Sequence, residues 1–157
     1  MSPLQYCLVP IAILLIPHNS YGQLADLSSD RAEYNFNGQW RLHVGDGDGF
    51  QNSDFDDSDW APVSLPHAWN EDEAFAVEIH DHSTGIAWYR KRFVLPENSA
   101  DRKVFLEFEG VRQAARVYVN GREVGLHENG VMAFGLDITD VVLPAPAENN
   151  LAQAACC

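Results

Sequence analysis

Cysteine is scarce in this chain of 157 residues: only Cys7, Cys156 and Cys157 occur. No CxxC pair and no zinc-ligand spacing is present, so a bound metal and a redox dithiol are not expected. Cys156 and Cys157 are adjacent, and adjacent cysteines bridge only with strain, so no structural disulfide is expected either. Basic residues are few, 10 against 23 acidic ones, for a net charge of −13. That balance argues against nucleic acid or an anionic membrane surface as a partner. GxSxG, Walker A and GxGxxG are all missing, which removes the common nucleophile-elbow, nucleotide and dinucleotide readings, and no cofactor is expected. No internal repeat and no low-complexity tract occurs, and no segment sustains an i, i+3, i+4 apolar pattern. Residues 1–22 carry no charged side chain at all. Within them Leu8–Ile16 is apolar but too short to span a bilayer. Ser20-Tyr21-Gly22 ends it with small residues where a signal peptidase reads, so residues 1–22 are expected to be a signal peptide, with secretion or a periplasmic location following. A buried hydrophobic strand or helix is the other reading of this stretch.

What is present is alternation. Trp40, Leu42 and Val44 point one way and Arg41 and His43 the other, as in a half-buried strand. Val63-Ser64-Leu65 reads as a short strand stopped by Pro66. Trp88–Leu95 reads as a strand closed by Pro96, with Arg90, Lys91 and Arg92 expected on an exposed face. Val104, Leu106 and Phe108 are expected inward on the next strand. Phe134, Leu136 and Ile138 alternate with Gly135 and Asp137 on another.

Asn120-Gly121 lies between two alternating runs and is a strong hairpin signal, because a type I′ turn needs φ > 0 at both central residues. A two-residue loop sets a register: Val119 opposite Arg122, Tyr118 opposite Glu123, Val117 opposite Val124 and Ala115 opposite Leu126. Short strands between Gly, Pro, Asn and Asp turns indicate an all-β sandwich, and the length suits one domain.

Several clusters invite a chemical reading. The Asp46–Asp59 loop is rich in Asp and Gly but fails the EF-hand template at its glycine and final glutamate, and Asp-Gly pairs are also ordinary turn formers. His80-Asp81-His82 could place two imidazoles on one side of a strand, yet no third ligand is evident. Residues 67–87 lack any period and form a long excursion, of the kind that often carries function. Trp40 and Trp60 sit where a core would use them, while Trp69 and Trp88 could serve either a core or a sugar-stacking platform.

Taken in order, FNGQWRLHVGD, DFDDSDW, SLPHAWN, TGIAWYRKRFVLP and residues 103–140 resemble the N-terminal sugar-binding domain of glycoside hydrolase family 2. The resemblance runs over about residues 33–151, good to a few residues at each end. It is greatest to secreted β-galactosidase-like enzymes of gut and marine Bacteroidetes. It implies a jelly-roll sandwich of the galactose-binding type, taken as residues 33–152. It further implies that catalysis belongs to a TIM barrel elsewhere in the polypeptide, reached through an immunoglobulin-like sandwich. There two glutamates about 5–5.5 Å apart perform retaining hydrolysis. The expected partners are thus a carbohydrate, a β-galactoside or related glycan, and the further domains of the same polypeptide. No catalytic residue is expected here; Asn70-Glu71 resembles the acid/base dipeptide of the barrel but falls in the sandwich.

By the same resemblance, the loop His127-Glu128-Asn129-Gly130 would reach toward substrate. Asn129 is the best candidate for a sugar contact, with Glu128 beside it and Asn70 as a weaker one. The alternative for Asn129 is a plain turn, since Asn and Gly before a strand permit φ > 0. At the end, Gln153–Cys157 offers no large apolar side chain where the family runs on as an apolar strand. Residues 153–157 are therefore expected to be an aberrant or truncated tail that buries little and leaves a neighbouring strand edge open.

Overall fold

The structure, a computed structural model, describes residues 31–68 and 85–156. The segment 1–22 lies outside the described residues, as do Asn70, Glu71 and His80–His82 of the long excursion. The chain divides into two units, Met1–Tyr34 and Asn35–Cys157, and every described strand belongs to the second. No α-helix occurs among the described residues, only a 3-10 turn at Glu97–Ser99, and no helix is long and apolar enough to cross a membrane.

Among the described residues eight strands form: β1 Trp40–Val44, β2 Ala61–Val63, β3 Ile86–Val94, β4 Phe105–Phe108, β5 Ala114–Val119, β6 Arg122–His127, β7 Phe134–Asp137 and β8 Glu148–Cys156. Six pair in the order β2-β1-β3-β8-β5-β6, and β4 with β7 makes a second sheet. Every pairing is antiparallel. The core between the sheets contains Trp40, Tyr89, Leu106, Val117, Ile138 and Leu151. Val104, Phe108, Phe134 and Leu136 pack on it, as their alternation requires. The expected all-β sandwich is therefore the fold.

The outer face of the large sheet is covered too. Phe50, Phe55 and Trp60, from the loop between β1 and β2, lie over Trp88, Tyr118 and Ala152. Ring pairs such as Phe50–Trp60 at 4.9 Å hold them edge to face, a geometry that aromatic quadrupoles favour. Trp40 and Trp60 are core residues as expected.

The structure departs from the sequence reading in five places, and this second layer accounts for the burial of Arg90 and of the β8 alanines. The basic cluster of β3 is not an exposed face: the Arg90 side chain is 0% exposed and donates from Nε to Asp57 Oδ2 at 2.9 Å. Its other nitrogens reach the carbonyl oxygens of Phe50 and Phe55. Lys91, on the inner face, is also buried; its ammonium donates to Gly38 O and lies 4.6 Å from the Phe36 ring centroid. Burial holds the Lys91 pKa below its ordinary value. Of the three, only Arg92 is exposed.

β2 forms at Ala61–Val63, two residues earlier than expected, because Trp40, Arg41 and Leu42 of β1 pair with Val63, Pro62 and Ala61. Ser64 and Leu65 lie past the end of that ladder. Val44, expected to face the core with Trp40 and Leu42, is exposed at the end of β1.

The hairpin register holds for Val119↔Arg122 and Tyr118↔Glu123 and then shifts. Val117 pairs with Gly125, Arg116 with Leu126 and Ala115 with His127, so Val124 is the extra residue of a β-bulge. A bulge reverses the facing of everything beyond it. Leu126 is accordingly 49% exposed, while Val117 and Ala115 are buried. Gly125 supplies the reason: a Cβ there would stand 2.5 Å from Leu136 Cδ2 of the opposite sheet.

Residues 153–156, expected in an aberrant tail, are instead the second half of β8. That strand is central, pairing with β3 from Glu148↔Val94 to Cys156↔Ile86 and with β5 from Leu151↔Val119 to Cys156↔Ala114. Its alanines bury well because their neighbours are large: Ala154 lies beside Trp88 and Ala152 beside both Arg90 and Tyr118. The neighbouring strands thus have no open edge along β8.

Candidate functional site

Antiparallel pairing gathers particular loops at one edge of the sandwich. β3 begins there at Ile86, β5 begins at Ala114, β8 ends at Cys156 and β6 ends at His127. The long excursion therefore re-enters the fold at the same edge that the 128–133 loop leaves it. Gln113 N donates to Cys156 O at 2.6 Å and closes this edge between β5 and β8.

The 128–133 loop is anchored at its base and open at its tip. The His127 ring stacks on Phe134 at 4.1 Å, and Phe134 stacks on Phe108 at 4.7 Å, so both ends of the loop are fixed to β4. His127 Nε2 is buried without a partner among the described residues. Gly130 backs onto Arg112 and Gln113, where a Cβ would lie 3.4 Å from Arg112 Cγ. At the tip Val131 is 89% exposed and Met132 is exposed beside it.

Glu128 is exposed and Asn129 half-buried on this loop. Asn129 Oδ1 accepts from Val131 N at 3.1 Å, which is the turn role foreseen as its alternative. That bond uses only the oxygen. The Nδ2 group keeps two N–H donors, which suit a hydroxyl oxygen, so the turn bond does not use up the side chain. Asn70 lies outside the described residues, and only Glu128 and Asn129 of the three candidates are placed together.

The acidic loop is occupied by structural work. Asp46 Oδ1 accepts from Trp88 Nε1 at 2.8 Å and Asp57 holds Arg90. Asp56 Oδ1 accepts from Ser58 N at 3.0 Å, and the bonds from Ser58 hold the Asp56 carboxyl below its ordinary pKa. Among the described residues no three His, Cys, Asp or Glu side chains come together to hold a metal ion.

A polar hollow of about 430 Å³, lined by Asn52, Ser53, Asp54, Asn120, Gly121 and Arg122, lies at the hairpin turn, the opposite end of β5 and β6 from Asn129. It adds nothing to the Asn129 edge. Sequence reasoning missed the ring stack under the 128–133 loop, although the inward alternation of Phe108 and Phe134 already placed two of its members.

The model of the glycosyl hydrolases family 2 sugar binding domain matches residues 34–153. The chain belongs to this family. A β-glucuronidase of Formosa agariphila is 39% identical over 119 residues, which are 71% of this chain and 12% of that protein. The β-galactosidase BoGH2A of Bacteroides ovatus is 33% identical over 121 residues, 73% of this chain and 14% of that protein. Among solved structures, a Bacteroides uniformis β-glucuronidase 2 is similar with a TM-score of 0.72 and 30% identity, covering 77% of this chain and 14% of that one. The family 2 domain thus spans between 11% and 16% of the length of the first curated relatives it matches.

Proposed function

We propose that this chain is the non-catalytic N-terminal domain of a secreted, retaining glycoside hydrolase, delivered through the signal peptide at residues 1–22. Catalysis belongs to a TIM barrel of the same polypeptide, and the 128–133 loop helps to shape its sugar site. The observation that carries the reading is the free Nδ2 of Asn129, at the tip side of a loop whose base is clamped by the His127–Phe134 stack. Asn70 is proposed as a second contact from the neighbouring excursion. The substrate we favour is a β-galactoside. Glu128 places an exposed carboxylate on this loop, which suits a neutral sugar better than a uronate. A β-glucuronide is the second reading, on the names of the Formosa and Bacteroides uniformis relatives.

A free-standing carbohydrate-binding module is the alternative of a different class, favoured by the full pairing of β8, and a purely structural packing domain is the other. Sequencing the DNA beyond codon 157 separates the module from the enzyme: a frame encoding a barrel is expected, and its absence sinks the enzyme reading. In the complete enzyme, Asn129→Ala is expected to lower kcat/KM, and an unchanged value removes Asn129 from the site. The 157-residue chain alone is expected to release no chromophore from a nitrophenyl galactoside.

A further inference from the structure

The hairpin turn at the far end of β5 and β6 carries chemistry that the sugar reading does not use. Asn120 and Gly121 both have positive φ, 52° and 80°, as the type I′ turn requires. An asparagine followed by glycine is the arrangement in which the next backbone nitrogen can most easily reach the side-chain carbonyl carbon, because glycine has no Cβ to shield it. Gly121 is exposed and lines the open polar hollow with Asn120, so water has access.

In the fold, however, the Asn120 amide is pinned on both sides. Its Oδ1 accepts from Asn150 N at 2.9 Å. Its Nδ2 donates to Val141 O at 2.9 Å and to Asn149 Oδ1 at 2.8 Å. The orientation of both amides follows from partners that cannot be exchanged. Leu143 N donates to Asn149 Oδ1 at 2.7 Å and Leu143 O accepts from Asn149 Nδ2 at 2.9 Å. Asn149 therefore turns an acceptor toward Asn120, and Asn120 must answer with its NH2 group.

We propose that Asn120-Gly121 is a latent deamidation site, held shut by these three bonds and opened by local unfolding of the turn. In the reaction the Gly121 nitrogen, losing its proton, attacks Asn120 Cγ. A C–N bond forms, the Cγ–Nδ2 bond breaks, and Nδ2 leaves as ammonia with the proton it gains. Water then opens the succinimide ring to aspartate or isoaspartate. Attack requires the side chain to swing toward Gly121 and give up its bonds to Asn150, Val141 and Asn149. The step is one-way for the fold as well. An aspartate sets a carboxylate oxygen against two acceptors, Val141 O and Asn149 Oδ1, and Asn149 cannot turn round without losing both Leu143 bonds. An isoaspartate adds a methylene to the main chain, which a two-residue turn of fixed register does not accommodate. Thermally labile asparagine thus sits where its loss unlocks the start of β8.

Trypsin frees residues 117–122 as one peptide, cut after Arg116 and Arg122, so mass spectrometry reads Asn120 directly. The full 157-residue chain is incubated in mildly alkaline buffer, folded and in urea. Conversion is expected to be at least about tenfold slower in the folded chain, because it waits on a rare open state; equal rates overturn the proposal. Asn149→Ala should accelerate conversion in buffer, and an unchanged rate in a folded variant, shown by its near-ultraviolet circular dichroism, also overturns it. Should that variant not fold, Asn120→Asp and Asn120→Gly decide. Both lose the donor bonds and only the first places charge there. Asn120→Asp is expected to melt lower at neutral pH and to approach Asn120→Gly in acid; identical melting at both pH values refutes the one-way consequence.

Discussion

The rings of Trp88 on β3 and Tyr118 on β5 stack across β8, 5.9 Å apart and within 22° of parallel. The strand between them carries Ala154 opposite Trp88 and Ala152 opposite Tyr118. The small side chains are what allows two large rings to meet over the middle strand. Ala152→Leu should therefore overpack this layer and destabilise the protein by about 1–3 kcal/mol. Urea unfolding followed by tryptophan fluorescence measures it, and an unaltered midpoint would mean that Ala152 does not lie beneath the rings.

The Arg90–Asp57 pair fastens the same layer from the side. The Arg90 side chain is fully buried, and Asp57 supplies a carboxylate to it at 2.9 Å. Removing Asp57 leaves a buried guanidinium with carbonyl partners alone. Asp57→Ala is expected to cost about 3–5 kcal/mol. Pairing it with Arg90→Met should recover part of that loss, because no unpaired charge then remains. A double variant less stable than Asp57→Ala would contradict this account.

Much of the sandwich was readable because alternation reports facing directly: Leu106, Phe108, Phe134 and Leu136 fell on the core side as their spacing requires. Arg90 and Lys91 were misread because basic side chains are exposed by default. For Arg90 a covering loop with Asp57 and free carbonyls reverses that, and for Lys91 the Gly38 carbonyl and the Phe36 ring do; all of them are distant in sequence. The tail was misread for a related reason: alanines look insufficient until Trp88 and Tyr118 are seen beside them. At the candidate site the neighbourhood of Glu128 and Asn129 was legible, being local in sequence. The stack of His127 on Phe134 was not, since it depends on the bulge at Val124 that turns His127 inward.

The bulge gives its own prediction. Gly125→Ala forces a Cβ to within 2.5 Å of Leu136 Cδ2, with Cδ1 and Cγ also close. A leucine in a packed core yields only partly, so a loss of about 1–3 kcal/mol is expected. Leu136→Ala makes room, and the two changes should be strongly non-additive. Additive losses would place Leu136 away from Gly125.

The β4–β7 ribbon has a pH limit that can be assigned to one carboxyl. Asp137 Oδ1 accepts from Thr139 Oγ1 at 2.6 Å and from Thr139 N at 3.0 Å, and Lys103 Nζ donates to Oδ2 at 3.0 Å. Thr139 first and Lys103 second pull the Asp137 pKa from 3.8 down to about 2. The folded state thus favours the ionised form. The stabilisation is fully present above pH 3.8 and is lost as pH falls through about 2. Asp137→Asn should flatten the fall of melting temperature in that window, while leaving its slope at higher pH unchanged. Carboxyl chemical shifts add a finer test: Thr139→Val should raise the Asp137 pKa, because the hydroxyl bond is the largest single influence on it. An unchanged Asp137 pKa in Thr139→Val would assign the ribbon's acid limit to the ion pair instead of the turn.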